Sequence, residues 1–282
     1  MSPITSLRDY EKFIEIKPNL YRATFSLKLL GINCPVAVFL IHIPHINDWT
    51  LIDAVDPENV SKLTKALESH FKSFSGYNLK YIAITHGHFD HTGALLRLLD
   101  EYKDAKVVMG DAEVPFVVHG KKYNELHGET LFFQILKYFG RESDVALGSE
   151  DRVVSIKKGS EQEFEFYDIL KPIFTVGHTP GSLSYLHVPT NSVLVGDLIA
   201  NFSYLPALFN ERLSIIPFSS VVSDNKESIK MISQMESEIT IVFPAHDISP
   251  DGISNLTIIN LHGHPCAQLQ PISTKQGKLY EN

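Results

Sequence analysis

The run Thr85-His86-Gly87-His88-Phe89-Asp90-His91 constrains this chain more than any other stretch. It brings three imidazoles and one carboxylate close together in sequence, and side chains of these types collect where a divalent metal is held. The apolar segment 80–84 before it predicts a buried strand, and segment 93–99 after it predicts the start of a helix. The metal-ligand types are therefore predicted on a tight turn at the end of a strand.

Three later segments repeat this arrangement, a β-rich run followed by one His or Asp beside Gly or Pro. The predicted strands are 173–176, 192–195 and 239–243, and the residues that follow them are His178, Asp197 and His246. Four strand ends of this kind predict a site on one rim of a sheet. The alternative for the 85–91 run is a polar loop in which Asp90 or Thr92 caps the following helix.

The order and spacing of these residues resemble the metallo-β-lactamase fold hydrolases over about residues 37–247. The resemblance implies an α/β fold, a four-layer αββα sandwich, with two divalent cations. It assigns His86, His88 and His178 to the first metal, Asp90, His91 and His246 to the second, and Asp197 to both as a bridge. Position 197 is Asp rather than the Cys of one subclass of true β-lactamases, so the chain is more similar to the glyoxalase II, lactonase and related hydrolase branches.

The resemblance also implies a reaction. Two cations about 3.5–4 Å apart lower the pKa of a shared water enough to supply hydroxide near neutral pH. Asp90 would carry a proton to the leaving oxygen or sulfur, and Tyr204 would offer its hydroxyl to a developing oxyanion, as a Tyr after the bridging Asp does in some lactonases. Zinc is the expected metal, although iron and manganese use the same donor types. We therefore predict cleavage of an ester-like carbonyl bond, a lactone or a thioester, in a small, partly apolar molecule.

Two alternatives remain open from the sequence. One branch of the same family is a mononuclear iron sulfur dioxygenase that acts on glutathione persulfide and uses two His and one Asp. The other alternative is a structural metal protein without catalysis, although structural zinc sites are usually closed by four protein ligands. The segment after His246 is shorter than the helical domain that follows this position in glyoxalase II proper, which argues against that particular enzyme.

Composition limits the partners. A net charge of −8 and a pI near 5.9 argue against a general nucleic-acid binder, because phosphate neutralisation needs a basic surface. No apolar run approaches the roughly 18 residues of a membrane span, and the N-terminus lacks the pattern of a signal peptide. With only two cysteines, Cys34 and Cys266, we expect a reduced, cytoplasmic protein that acts on a small molecule and does not bind membranes.

We predict one domain over 1–282, in which two β-rich layers are each flanked by helices. The predicted helices are 57–74, 92–103 and 225–236, and the further predicted strands lie within 12–24, 36–43 and 49–54. An apolar helical insertion at about 118–150 fits this core least well, and its segment 131–139 could pack on the body, form a homodimer contact or act as a lid. Asp53, at the end of a strand, is either a turn residue or a support for the metal loops.

Overall fold

Two β-sheets form the centre of the structure, a computed structural model that describes residues 3–29, 32–123, 146–202, 213–214, 216, 219–235, 237–249 and 251–254. The strands of these residues are β1 Ile14–Lys17, β2 Leu20–Leu29, β3 Ile32–Ile43, β4 Asp48–Ile52, β5 Asn78–Ala83, β6 Lys106–Gly110, β7 Val153–Ile156, β8 Leu170–Phe174, β9 Leu183–His187, β10 Ser192–Gly196, β11 Ala200–Asn201, β12 Leu213–Ser214, β13 Ile241–Pro244 and β14 Ile253–Ser254. Their α-helices are α1 Val60–Phe71, α2 Phe89–Thr92, α3 Leu95–Glu101, α4 Val114–Val117 and α5 Val222–Gln234.

The first sheet has the order β1-β2-β3-β4-β5-β6-β7, antiparallel up to β4 and parallel from β4 to β7. The second sheet has the order β14-β13-β10-β9-β8, in which only the β10–β13 pairing is parallel. The parallel strands carry long apolar runs because layers cover both of their faces, and β4 and β10 are buried at every position.

The two sheets pack face to face over an apolar core. Phe39 of β3 meets Phe243 of β13 with ring centroids 5.9 Å apart, and Tyr185 and Leu194 of the second sheet lie in the same cluster. The opposite face of the first sheet packs on α1 and α3 through residues such as Leu67. The second sheet packs on α5 in the same way. The result is the predicted order of layers, helix, sheet, sheet, helix, in a mixed α/β fold.

The strand ends bring the polar segments to one rim. In the parallel set β4, β5 and β6, all three carboxyl ends lie at the same edge of the first sheet. In the second sheet, β8, β10 and β13 run in the same direction and end at one edge. Side chains placed directly after these strands therefore project from rigid backbone toward a shared space.

Two predicted segments, the insertion at about 118–150 and the helix 57–74, are only partly described by the structure or have other bounds in it. The residues 124–145 of the predicted insertion lie outside the described residues, but its two ends meet, because Leu147 donates its N–H to the carbonyl of Val117 at 3.0 Å. Helix α1 begins at Val60 and not at Pro57, because a turn precedes it in which Asn59 donates to the Asp56 carboxylate at 2.5 Å. Among the described residues, no helix combines the length and the hydropathy needed to cross a bilayer.

Candidate metal centre

Seven of the sequence-predicted side chains meet at this rim in two adjoining clusters. The first cluster contains His86, His88, His178 and Asp197, and the second contains Asp90, His91, Asp197 and His246. Within each cluster the donor atoms all lie within 4.8 Å of one another. Each cluster takes two donors from segments that follow strands of the first sheet and two from segments that follow strands of the second.

The backbone of the 86–91 run explains why its four donors divide into two pairs. His88 has extended dihedral angles, and residues two apart in extended chain point to the same side, so His86 and His88 face the first cluster together. Helix α2 begins at Phe89, and its curvature turns Asp90 and His91 toward the second cluster. A short change from strand-like to helical backbone thus serves both clusters.

The first cluster is compact. Nδ1 of His88 lies 3.0 Å from Nε2 of His86 and 3.0 Å from Nε2 of His178. Oδ2 of Asp197 approaches the same nitrogens, at 3.9 Å from His86 and 3.4 Å from His178. Donors bound to a tetrahedral Zn²⁺ at about 2.0–2.1 Å would lie roughly 3.3 Å apart, close to these separations.

The second cluster shares the carboxylate of Asp197. Nε2 of His246 lies 3.3 Å from Oδ2 of Asp197 and 3.4 Å from Oδ2 of Asp90. Nε2 of His91 lies 3.2 Å from Oδ1 of Asp197 and 3.6 Å from Oδ2 of Asp90. One carboxylate therefore contacts histidines of both clusters, which is the geometry of a bridging ligand.

Hydrogen bonds behind four of the rings fix which nitrogen faces the clusters. Nδ1 of His246 donates to the carbonyl of Pro35 at 2.6 Å, and Nδ1 of His91 donates to Oδ2 of Asp53 at 2.9 Å. When these rings are neutral, the second nitrogen, Nε2, carries the lone pair and is aimed into the second cluster.

The other two of these four rings, those of His178 and His86, are each hydrogen-bonded from behind by a hydroxyl group. Ser219 donates its hydroxyl to the carbonyl of Ile216 at 2.8 Å and thus accepts from Nδ1 of His178 at 3.2 Å. Thr85 donates to Asp53 and accepts from Nδ1 of His86 at 3.1 Å. His88 is oriented the other way and presents Nδ1 to the cluster.

The donor set fits a pair of divalent cations. The orientations above point lone pairs of His86 and His178 at one atom of His88, and a single proton there can satisfy only one of them. In the second cluster, the buried atoms Nε2 of His91 and Oδ1 of Asp197 lie 3.2 Å apart. Such a buried pair needs a shared positive charge, either a proton on the ring or a bound cation.

The two clusters differ in protonation. Burial, reinforced by the neighbouring imidazoles, lowers the pKa of His178 to about 3 and that of His86 well below its usual value. Burial acts in the same direction on His246, but the carboxylates of Asp197 and Asp90 outweigh it and raise its pKa to about 10. The first cluster is thus a set of neutral nitrogen donors, while the second attracts positive charge.

The sequence left the role of Asp53 open. In the structure Asp53 lies behind the loop after β5 and behind helix α2, which together carry the donors of the first sheet. Its carboxylate is buried and accepts hydrogen bonds from the N–H of Thr85 at 2.7 Å and from His91. A positive φ of 64° turns the chain after β4, so that the side chain reaches back under the 85–91 run. Asp53 supports the donors and is not itself one of them.

Three further supports were missed by sequence reasoning. Ser219 orients His178, Glu113 hydrogen-bonds the loops of the first cluster, and Arg22 holds the chain after His246. Arg22 is fully buried and donates to the carbonyls of Asp247 at 2.7 Å and Ser249 at 2.5 Å. Glu113 alone carried a signal, because it closely follows β6 at the rim where β4 and β5 also end.

A cavity of about 400 Å³ opens beside the first cluster. Phe116 and Tyr123 stack in its wall with ring centroids 3.8 Å apart, and the Tyr123 ring lies 5.1 Å from that of His88. Gly177 and Thr179, the neighbours of His178, also line it. Tyr204, predicted as an oxyanion donor, lies outside the described residues, as do 203–212 around it.

The family model of the Metallo-beta-lactamase superfamily matches residues 31–246, which include all seven clustered side chains. The chain belongs to the metallo-beta-lactamase superfamily. This agrees with the order of layers and with the resemblance seen in the ligand pattern.

Similar proteins share the family description. The probable metallo-hydrolase YflN of Bacillus subtilis is 28% identical over 174 residues, which cover 60% of this chain and 63% of YflN. The metallo-beta-lactamase fold-containing protein ST1585 of Sulfurisphaera tokodaii is 31% identical over 174 residues, covering 60% of each protein. The chain thus spans less than two thirds of these relatives.

The fold is also that of solved structures. MEM-A1, a subclass B3 metallo-beta-lactamase isolated from a soil metagenome library, superposes with a TM-score of 0.57 at 18% identity, over 84% of this chain and 80% of that protein. At this identity the likeness concerns the fold alone.

Proposed function

We propose that this protein is a dinuclear metal-dependent hydrolase that cleaves an ester-like carbonyl bond, a lactone or a thioester, in a small, partly apolar molecule. The observation that carries the proposal is the shared carboxylate of Asp197, which lies 3.4 Å from His178 in one cluster and 3.3 Å from His246 in the other. A bridging carboxylate between two open sets of donors is the arrangement of two-metal hydrolytic sites.

His86, His88 and His178 would hold the first cation, Asp90, His91 and His246 the second, with Asp197 shared. When bound, the cations, most readily zinc, would supply a nucleophilic hydroxide at neutral pH and polarise the substrate carbonyl. The protein's contribution is to hold the seven donors next to rigid strand ends and to fix the tautomers of four of the five imidazoles from behind.

Asp90 is the residue that we propose for the proton transfer. Burial acts to raise its pKa, but His91 and His246 outweigh that effect and hold the pKa below its usual value, so the carboxylate is an acceptor at neutral pH. It would take the proton that water loses on becoming the nucleophilic hydroxide. The same proton would then pass to the oxygen or sulfur that leaves as the ester or thioester bond breaks.

The cavity beside the first cluster supports a small substrate with apolar parts. Its volume lies within the range of small-molecule pockets, about 300–1,000 Å³. Phe116, Tyr123, Val176 and Pro180 offer apolar surface there, while Lys121 offers a positive charge. A substrate carbonyl near His88 and His178 would leave its acyl part against the aromatic pair.

Elemental analysis combined with a substrate panel tests the proposal. The purified protein should carry close to two divalent cations per chain, and it should hydrolyse members of a panel of aryl and alkyl lactones and thioesters. His88→Ala and Asp197→Ala should remove turnover, whereas the exposed matched variants His45→Ala and Asp104→Ala should retain it. Full activity after complete metal removal would refute the proposal.

Elemental analysis also distinguishes hydrolysis from the alternative reaction, sulfur dioxygenation at a single iron. It predicts one iron per chain and oxygen uptake with glutathione persulfide. The second cluster favours the dinuclear reading, because its four donors are as closely assembled as those of the first.

A further inference from the structure

Glu113 is a fully buried carboxylate that none of the proposed metal positions uses as a ligand. It ends the short turn Asp111–Glu113 that follows β6. Its two oxygens accept four hydrogen bonds from three separate segments of the chain. Oε2 accepts from the N–H of Gly87 at 2.9 Å and from the hydroxyl of Tyr123, and Oε1 accepts from the hydroxyl of Thr179 at 2.7 Å and the N–H of Gly181 at 2.7 Å.

Two of these donors, Gly87 and Thr179, are sequence neighbours of ligands of the first cluster. Gly87 separates His86 from His88, and Thr179 directly follows His178. The carboxylate therefore ties the loop after β5, on the first sheet, to the loop after β8, on the second. Asp53, in contrast, binds His91 of the second cluster directly and reaches the first cluster only through Thr85 and His86.

The backbone at Gly87 and at Gly181 lies in close contact with this carboxylate. A Cβ atom added at Gly87 would lie 2.8 Å from Oε2 of Glu113, and one added at Gly181 would lie 2.9 Å from Oε1. Both distances are too short for a real side chain, so each loop approaches the carboxylate as closely as a chain can. Small displacements of Glu113 would consequently move both loops.

A carboxylate is the side chain that this environment requires. All four partners donate, and an ionised carboxylate accepts without donating. An amide of the same size would turn an NH₂ group against the donors on one side and lose that loop. Burial raises the pKa of Glu113, and the four hydrogen bonds oppose the rise by stabilising the charged form.

We propose that Glu113 is a positioning residue that sets the distance between the two loops of the first cluster and so determines the affinity and geometry of the first cation alone. The inference rests on the proposed function, since it assumes that the clusters hold cations. It distinguishes Glu113, whose contacts reach the first cluster alone, from Asp53, which binds His91 of the second cluster directly and reaches His86 of the first only through Thr85.

The test compares Glu113→Gln with the exposed control Glu163→Gln and with Asp53→Asn. Metal-free protein is titrated with Zn²⁺ alone in competition with a chelator, and the ring nitrogens of ¹⁵N-labelled histidines are followed by NMR. Glu113→Gln should weaken one of the two binding steps by about 10- to 100-fold, as loss of such outer partners does. At one equivalent of Zn²⁺, the His91 and His246 signals should shift and those of His86, His88 and His178 should not.

Asp53→Asn should weaken the other step more strongly, because Asp53 binds His91 directly and His86 only through Thr85. Tyr123→Phe, which removes a single donor and keeps the ring, should weaken the same step as Glu113→Gln by a smaller factor, and it decides the matter if the glutamine variant does not fold. Unchanged affinities and histidine signals in Glu113→Gln and Tyr123→Phe, or equal weakening of both steps in them, would overturn the inference. Two bound cations in the unaltered protein would still leave the proposed function standing. An unaltered protein that binds no Zn²⁺ would overturn both.

Discussion

Oδ2 of Asp53 lies 2.9 Å from Nδ1 of His91, and the backbone of Asp53, directly after β4, has a φ of 64°. The hydrogen bond that orients His91, a donor of the second cluster, thus depends on a positive φ at Asp53. Asn adopts such a φ almost as readily as Asp does, so the position tolerates Asn without added backbone strain. Replacing Asp53 by Asn therefore removes the negative charge next to His91 while keeping the size of the side chain and the backbone conformation.

Asp53→Asn should lower the affinity of the second cluster by about 10- to 100-fold, because a neutral amide makes His91 a weaker and less firmly oriented donor. Chelator competition with Zn²⁺ measures the change. Asp104→Asn, on the exposed surface, is the matched control and should bind as the unaltered protein does. Equal affinities in the two variants would mean that Asp53 does not orient His91.

Metal affinity should depend on pH in the second cluster and not in the first. The pKa of His178 is about 3, so its ring is already neutral between pH 6 and 9, whereas the pKa of His246 is about 10 and its ring must lose a proton to bind a cation. One binding step should therefore strengthen as pH rises from 6 to 9 and release roughly one proton or more. Calorimetry in buffers of different ionisation enthalpy measures the release, and two steps that are both independent of pH would contradict this assignment.

Gly196→Ala should destabilise the protein and disturb the bridging ligand beside it. Gly196 has a φ of 53°, and an added Cβ would lie 2.6 Å from the Cβ of Thr85. The variant should lose about 2 kcal/mol or more of unfolding free energy, through backbone strain and this collision together. Gly148→Ala, at a φ of 74° with open space around it, suffers the strain alone and should lose about 1 kcal/mol. Equal losses in thermal unfolding would remove the steric part of the argument.

Arg22→Met should cost about 3–5 kcal/mol of unfolding free energy, because it leaves buried negative charge without its partner. The guanidinium lies 3.2 Å from the carboxylate of Asp9 and 3.8 Å from that of Asp247, and all three side chains are fully buried. Urea denaturation of metal-free protein measures the loss. The control is Arg8→Met, whose ion pair with Asp251 is exposed and should be worth less than about 1 kcal/mol.

The sequence was sufficient to predict the clusters because their members follow strands. His178 and His246 each come directly after an apolar run beside Gly or Pro, and parallel strand ends gather at one edge whatever the details of packing. The layers were predictable for the same reason, since apolar periodicity separates covered strands from amphipathic helices.

The supports behind the donors were not predictable, because they depend on tertiary approach. Ser219 reaches His178 from a distant part of the chain and is an ordinary serine in sequence. Arg22 stands in a strand, where a cation predicts a solvent-facing position, yet it is enclosed by the carbonyls of residues 247 and 249. Whether Asp53 was a turn residue or a support could be decided only by the direction in which its backbone turned.

The division of each cluster between the two sheets has a consequence for how the molecule assembles. Neither His86 with His88 nor Asp90 with His91 forms a complete set until the segments after β8, β10 and β13 have arrived. A refolding chain would therefore gain tight ion capture only once the sandwich had closed. Uptake of a cation would then report the docking of the two sheets and not the formation of local structure.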